Sequence, residues 1–182
     1  MAQPTPSQTV GPFFDRQLLW SDGGKILFAD QGERITLTGR VVDGNGGPVI
    51  DALFETWQVD AAGKLPIGGE GARPYGYGRV STGADGSYTI ETVMPGSFKG
   101  PGGETYAPQI SVTIFARGLL KGVQTRVFLA SLDAIKDDPL ARALGNSDRL
   151  STLVATRDPN NPKIYRWNVQ LQGGGETVFI DA

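Results

Sequence analysis

The sequence contains no cysteine and no histidine. The first absence excludes disulfides, thiolate nucleophiles, cysteine zinc sites and iron–sulfur clusters. The second removes Ser-His-Asp triads, HExxH zinc sites and every His-ligated iron or copper centre that this chain could build alone. An excess of either charge is also missing. Seventeen Lys and Arg face 19 Asp and Glu, for a net charge of −2, so no basic footprint for nucleic acid is expected. Long apolar runs are lacking: the longest are strand-length and broken by polar residues, and no membrane-spanning segment is expected. Residues 1–10 are polar and proline-containing, without a charged n-region or an apolar h-region, so no secretory signal is expected. A soluble cytoplasmic protein is the resulting expectation.

What the chain does have is glycine and proline, 26 and 12 among 182 residues. That is high for a helical bundle, yet 39% hydrophobic residues keep the composition clear of disorder. One domain of this length buries roughly 70% of the surface its unfolded chain exposes. Residues 1–33 show no sustained period. They read as an extended N-terminal arm in which Phe13, Phe14, Leu18, Leu19 and Trp20 are too apolar for a free tail. The arm packs either on its own domain or on a partner chain.

From Arg34 to the end, 34–182, the dominant period is two. Ile35, Leu37 and Val41 alternate with polar residues, and the DGNGGP turn at 43–48 leads into a second run over 49–59, which predicts a hairpin. Residues 80–82 and 88–92 around Ala84-Asp85-Gly86 repeat that pattern. Ile110, Val112, Ile114 and Ala116 share one face of a strand over 109–116, and Tyr165, Trp167, Val169 and Leu171 one face over 165–171. Further strands are expected over 125–129, 150–156 and 177–180. Helix is scarce: Ser131 can cap a short piece, Pro139 divides it, and Gly145 ends it. The expectation is an all-β fold, an antiparallel β-sandwich with an extended N-terminal arm and one or two short helices.

The candidate chemistry is sparse. Gly44-x-Gly46 and Gly76-x-Gly78 open no helix in a βαβ unit and read as turn glycines. Residues 43–46 resemble part of a calcium loop that lacks its other ligands. Asp133, Lys136, Asp137 and Asp138 read as a solvated helix face. Tyr75 and Tyr77 carry phenols that could ligate iron, or pack as loop aromatics. Arg117 follows an apolar strand and enters a loop. It is either a rim charge or a clamp whose guanidinium fork holds a small organic acid. No paired carboxylates suggest an acid–base dyad, and no catalytic residue is assigned to this chain.

Several segments together resemble the intradiol ring-cleaving dioxygenases. They are TPSQTVGPF at 5–13, LTGRVVDGNGGPV at 37–49, ETWQVDAAG at 55–63, Gly78-Arg79 with DGSY at 85–88 and TVMPG at 92–96, APQISVTIFARG at 107–118, TRVF at 125–128 and GETVF at 175–179. The resemblance covers nearly the whole chain. It implies β-sandwich enzymes holding a non-haem Fe(III) through two tyrosines and two histidines. This chain departs at all four positions. Gln109 and Ser111 replace the H-x-H pair, Phe98 replaces the tyrosine after the Pro-Gly turn, and the other tyrosine falls near Pro66. One branch of the family has this loss built in. There an α chain without ligands pairs with a homologous β subunit that binds the iron, in a higher αβ hetero-oligomer. The resemblance therefore implies no metal on this chain and Fe(III) on the partner β subunit. The implied reaction is cleavage of 3,4-dihydroxybenzoate (protocatechuate) with O2 to 3-carboxy-cis,cis-muconate. By match of motif, Thr9, Pro12, Phe13 and Arg117 would line the substrate pocket, Phe13 standing where the family has tyrosine, and the apolar arm, residues 1–33, would dock largely on the partner β subunit. The alternative of another class is a stand-alone, metal-free β-sandwich module that binds an aromatic acid or a protein partner.

Overall fold

The computed structural model describes residues 11, 14–26, 32–65, 76–145 and 148–180. Among the described residues, eleven strands form two packed sheets and a short ribbon, a β-sandwich as the period-two pattern predicts. In the first sheet, β1 (Arg34–Val42) is central. On one side it pairs antiparallel with β4 (Ser87–Val93). On the other it pairs parallel with β10 (Ile164–Arg166) and then with β11 (Val169–Gln170), while β9 (Thr156–Arg157) adds antiparallel to β10. The second sheet is wholly antiparallel, in the order β3 (Tyr77–Ser81), β2 (Leu53–Trp57), β7 (Gln109–Phe115), β8 (Val123–Phe128). A two-stranded ribbon, β5 (Phe98–Lys99) with β6 (Thr105–Tyr106), stands beside it.

Alternation builds the core. Leu37, Val41, Phe54, Ile90, Ile110, Ile114 and Val127 are fully or almost fully buried between the sheets. Each such side chain contributes about 1.5–3 kcal/mol by leaving water. Phe54 of β2 stacks on Tyr88 of β4, centroids 4.4 Å apart, and so joins the two layers.

Both expected hairpins differ from the prediction in the same way. The turn after β1 forms: Asp43 Oδ1 accepts from the N–H groups of Asn45 and Gly47 at 2.8 Å, and Gly46 takes φ +80°. Val49 N–H then bonds Val41 O, but the chain leaves the sheet, and β2 belongs to the opposite layer. The turn between β3 and β4 likewise connects opposite layers. Buried Thr82 ties the two corners together. Its hydroxyl donates to Val49 O at 2.7 Å and accepts from Ala52 N–H at 2.9 Å.

The helical region follows expectation. The helix α2 (Leu132–Ile135) has Ser131 as its N-cap, and α3 (Pro139–Leu144) begins on Pro139 and ends at Gly145 with φ +62°. Asp138 is a correction to the expected solvated face. It is buried, with Oδ1 capping Leu140 N–H and Oδ2 accepting from Ala107 N–H, both at 2.9 Å. It thereby fixes the chain just before β7. The expected strand over 150–156 is instead a 3-10 turn, Asp148–Leu153, followed by a single bridge from Val154 to Phe128. The hydroxyls of Ser151 and Thr152 bond back to the carbonyls of Asp148 and Arg149, which favours the tight turn over a ladder. Over 177–180 only an isolated bridge, Ile180 to Gln124, forms.

In the arm, α1 (Phe14–Gln17) buries Phe14. Residues 23–26 run across the outer strands of both sheets. Gly23 O accepts from Arg79 N–H of β3, and Gly24 O from Glu91 N–H of β4. Ile26 N–H donates to Glu91 O, and its side chain is buried. This strap covers two strands that would otherwise present open edges.

Candidate functional site

Strand β7 carries the residues of interest at its two ends. Its start borders an open cleft of about 650 Å³ with Lys64, Phe98, Tyr106, Gln109, Ser111 and Arg126 among its walls. Phe98 and Tyr106 stack across the ribbon, centroids 4.9 Å apart and 12° between planes. Arg126 also lies over Tyr106, its guanidinium carbon 5.4 Å from the ring centroid. The Tyr106 hydroxyl donates to Glu104 Oε1 at 3.1 Å. Burial, then that bond to Glu104, push the Tyr106 phenol above its ordinary pKa.

These are the positions where the resemblance locates a ferric site, and the side chains do not fit one. Phe98 has no donor atom. Gln109 is 3% exposed, and its Oε1 is buried without a hydrogen-bond partner among the described residues. Ser111 is exposed on the outer face. An amide and a hydroxyl are poor ligands for a hard ferric ion that prefers phenolate and imidazole. Tyr106, the one phenol in the cleft walls described, is shifted away from the phenolate form. Among the described residues no three His, Cys, Asp or Glu groups are placed to share a metal. Pro66 and Tyr75 lie outside the described residues. Tyr77 is in β3, where it stacks on Trp20 at 6.0 Å and tilts against Trp57 at 5.4 Å, so packing is its role.

Arg117 lies beyond the other end of β7. At about 3.3 Å per residue, the strand sets it some 20 Å or more from Gln109. Its guanidinium is open to solvent, with 74% of the side chain exposed. Its Nε lies 2.7 Å from Asp51 Oδ2, and the Asp51 side chain is only 14% exposed. Gly118 follows with φ +92°, turning the chain sharply after the arginine. Arg117 is therefore a strand-end residue with a fixed acidic neighbour, open on its remaining side. Thr9, Pro12 and Phe13 lie outside the described residues.

A cluster that sequence reading misses holds the root of the arm. Arg79 of β3 pairs with Glu55 of β2, donates to Leu18 O at 2.8 Å and lies over the rings of Trp20 and Tyr77 at 5.5 and 5.6 Å. Alternation marks Glu55 and Arg79 only as outward-facing. Their partnership follows from the β2–β3 register, which sets them directly opposite. Asp51 is missed as well, since a lone acid after Val49-Ile50 carries no local signal.

Comparison with known proteins gives one consistent result. The profile of the dioxygenase family matches residues 11–173. The chain is 39% identical to the protocatechuate 3,4-dioxygenase alpha chain of Burkholderia cepacia over 97% of this chain and 96% of that one. It is 34% identical to the alpha chain of the same name from Pseudomonas putida, with the same coverage. The protocatechuate 3,4-dioxygenase beta chain of Burkholderia cepacia is 29% identical over 80% of this chain and 67% of its own length. Among solved structures, the dioxygenase domain of a carbohydrate-binding fusion from Streptomyces sp. SirexAA-E superposes with a TM-score of 0.59. It is 22% identical over 94% of this chain and all of that one, which establishes the shared fold.

Proposed function

The chain belongs to the intradiol dioxygenase family, and we propose that it is the non-iron-binding α-type subunit of an αβ enzyme that cleaves protocatechuate with O2 to 3-carboxy-cis,cis-muconate. Two relatives matched over nearly their full length are named alpha chains, and a beta chain of the same enzyme name also matches. In this reading the non-haem Fe(III) resides on a homologous β subunit of a cytoplasmic hetero-oligomer. The iron supplies the activation of the catecholate toward O2. This chain supplies pocket wall and interface through Thr9, Pro12 and Phe13 of the arm and through Arg117.

The position of Arg117 carries the proposal. It lies at the end of β7 away from Phe98, Gln109 and Ser111, and those residues do not suit a metal. An arginine held there serves a pocket completed by another chain rather than the cleft of its own. Its task is to meet the carboxylate of the substrate. A charge-assisted contact of that kind contributes about 1.5–3 kcal/mol.

The test is co-expression with a β homologue that carries the tyrosine and histidine ligands, followed by iron analysis and an oxygen-uptake assay with protocatechuate. Co-purification, with iron bound only when the β chain is present, is the expected result. A chain that never associates with a β homologue, yet binds an aromatic acid alone, would establish the stand-alone module instead.

A further inference from the structure

The reading of Arg117 as a carboxylate clamp leaves open how an exposed arginine keeps its fork in place. A long side chain at a loop edge samples many rotamers, and binding through it then has to suppress that freedom. Asp51 answers this. Its side chain is largely enclosed at the corner where the chain passes from the first sheet to the second, and the β-carboxylate meets Arg117 at Nε. The corner itself is tied in place: the backbone on either side of Asp51, Val49 O and Ala52 N–H, is bonded to the buried Thr82 hydroxyl. A carboxylate on Nε engages the inner edge of the guanidinium. The two terminal nitrogens stay at the outer end, which can receive a second carboxylate.

We propose that Asp51 is the positioning residue for Arg117, setting the guanidinium so that its outer edge receives the carboxylate of an aromatic acid substrate. The inference rests on the α-subunit reading above. It adds a specificity-determining residue that touches no substrate atom. Asp51 exerts two opposed electrostatic effects on Arg117. The Asp51 charge offsets part of the arginine charge, which weakens attraction for an anion, whereas it orders the fork, which strengthens binding. Arg117 is exposed, so the Coulomb penalty is screened by water, and the ordering prevails.

The experiment uses the αβ complex, with protocatechuate and catechol assayed in parallel. Asp51→Asn is expected to raise KM for protocatechuate about 3- to 10-fold with little change in kcat, and to leave catechol, which lacks the carboxylate, unaffected. In an Arg117→Ala background the same substitution is expected to have no further effect on the ratio of the two substrates. Asp51→Glu is expected to recover part of the loss, and it also serves if Asp51→Asn fails to fold. An unchanged or lowered KM for protocatechuate in Asp51→Asn, beside a clear effect of Arg117→Ala, overturns the positioning role and leaves the α-subunit reading intact. Equal losses on both substrates overturn it in favour of a purely structural corner. If Arg117→Ala itself spares the substrate ratio, the clamp is overturned and the positioning role with it.

Discussion

The Tyr88 hydroxyl on β4 donates to the Trp167 carbonyl at 2.7 Å, passing over Gly39 of the central strand between them. The two residues sit on opposite sides of β1, and the bond closes the sheet across it where β10 gives way to β11. Gly39 permits this crossing. A Cβ there would meet Trp167 O at 1.7 Å and the Tyr88 hydroxyl at 3.2 Å.

Gly39→Ala should therefore be costly although it adds a single methyl. The obstructing atom is backbone, which cannot swing aside, so the two strands must separate. We expect a loss of about 3 kcal/mol, seen as a fall in Tm of roughly 6–12 °C. A variant with unchanged Tm would show that the β1–β10 junction relaxes freely.

Tyr88→Phe should trade neutral-pH stability for alkaline tolerance. Loss of the hydrogen bond leaves a buried carbonyl short of a donor and costs about 1–2 kcal/mol at pH 7. Burial holds the Tyr88 phenol well above its ordinary pKa of 10.0 in the folded chain. Above about pH 10 the unfolded chain releases that proton and the folded chain retains it, so the Tyr88 contribution is complete below that pH and is lost as pH rises further. The native protein should lose up to about 1.4 kcal/mol per pH unit from this group in that range. The variant should show a shallower decline in urea unfolding at pH 10–11, with parallel curves for the two proteins as the contrary outcome.

Arg79→Gln should loosen the arm without dissolving the sandwich. The substitution strands Glu55 at a partly buried site, removes the donor to Leu18 O and uncovers Trp20. A loss of about 2 kcal/mol is expected. Proteolysis should accelerate within residues 14–26 while the rest of the domain stays resistant. Uniform cleavage along the chain would mean that the cluster belongs to the core instead.

Arg117→Ala, in the αβ complex, should preserve folding, assembly and iron content, since its side chain is mostly exposed. It should reduce kcat/KM for protocatechuate about 10- to 150-fold, mainly through KM, because the proposed contact with the substrate carboxylate would be made in ground and transition states alike. Catechol should be nearly indifferent. Arg117→Lys should restore only part of the loss, since an ammonium lacks the planar fork. Dissociation of the complex on Arg117→Ala would make it an interface residue.

The chain purified alone should carry no stoichiometric Fe(III) and no tyrosinate-to-iron colour. Metal analysis with a visible spectrum decides the matter, and one tightly bound iron per chain would contradict the reading of Phe98, Gln109 and Ser111.

The sequence makes some of this legible and hides the rest for identifiable reasons. The faces of β1 and β7 can be read directly, because alternation is a property of neighbours along the chain. The caps at Ser131, Pro139 and Gly145 are legible for the same reason. The destination of each strand is not. The turns at 43–48 and 83–87 have good hairpin chemistry, yet both lead to the opposite sheet, and the tie that holds those corners is Thr82, distant in sequence from Val49. Asp138 reads as solvated because it is charged, and only the approach of Ala107 N–H shows why it is buried. Arg117 stands out by its place at a strand end, but its partner Asp51 becomes visible only when β2 and β7 are paired at Leu53 and Phe115.

The parallel pairing of β1 with β10 and β11 bears on the order in which the fold can be completed. Arg40 N–H waits for Asn168 Oδ1, a partner 128 positions later. At ribosomal speeds of about 5–20 residues per second, one side of the central strand stays unpaired for many seconds while the chain emerges. Pairings this remote also make folding slow, since loop closure precedes the contacts that compensate it. The second sheet, with its nearer partners, can assemble first as a hydrophobic half. Chaperone demand should therefore peak late in synthesis, and chains ending before residue 164 should accumulate in aggregates rather than as trimmed but folded domains.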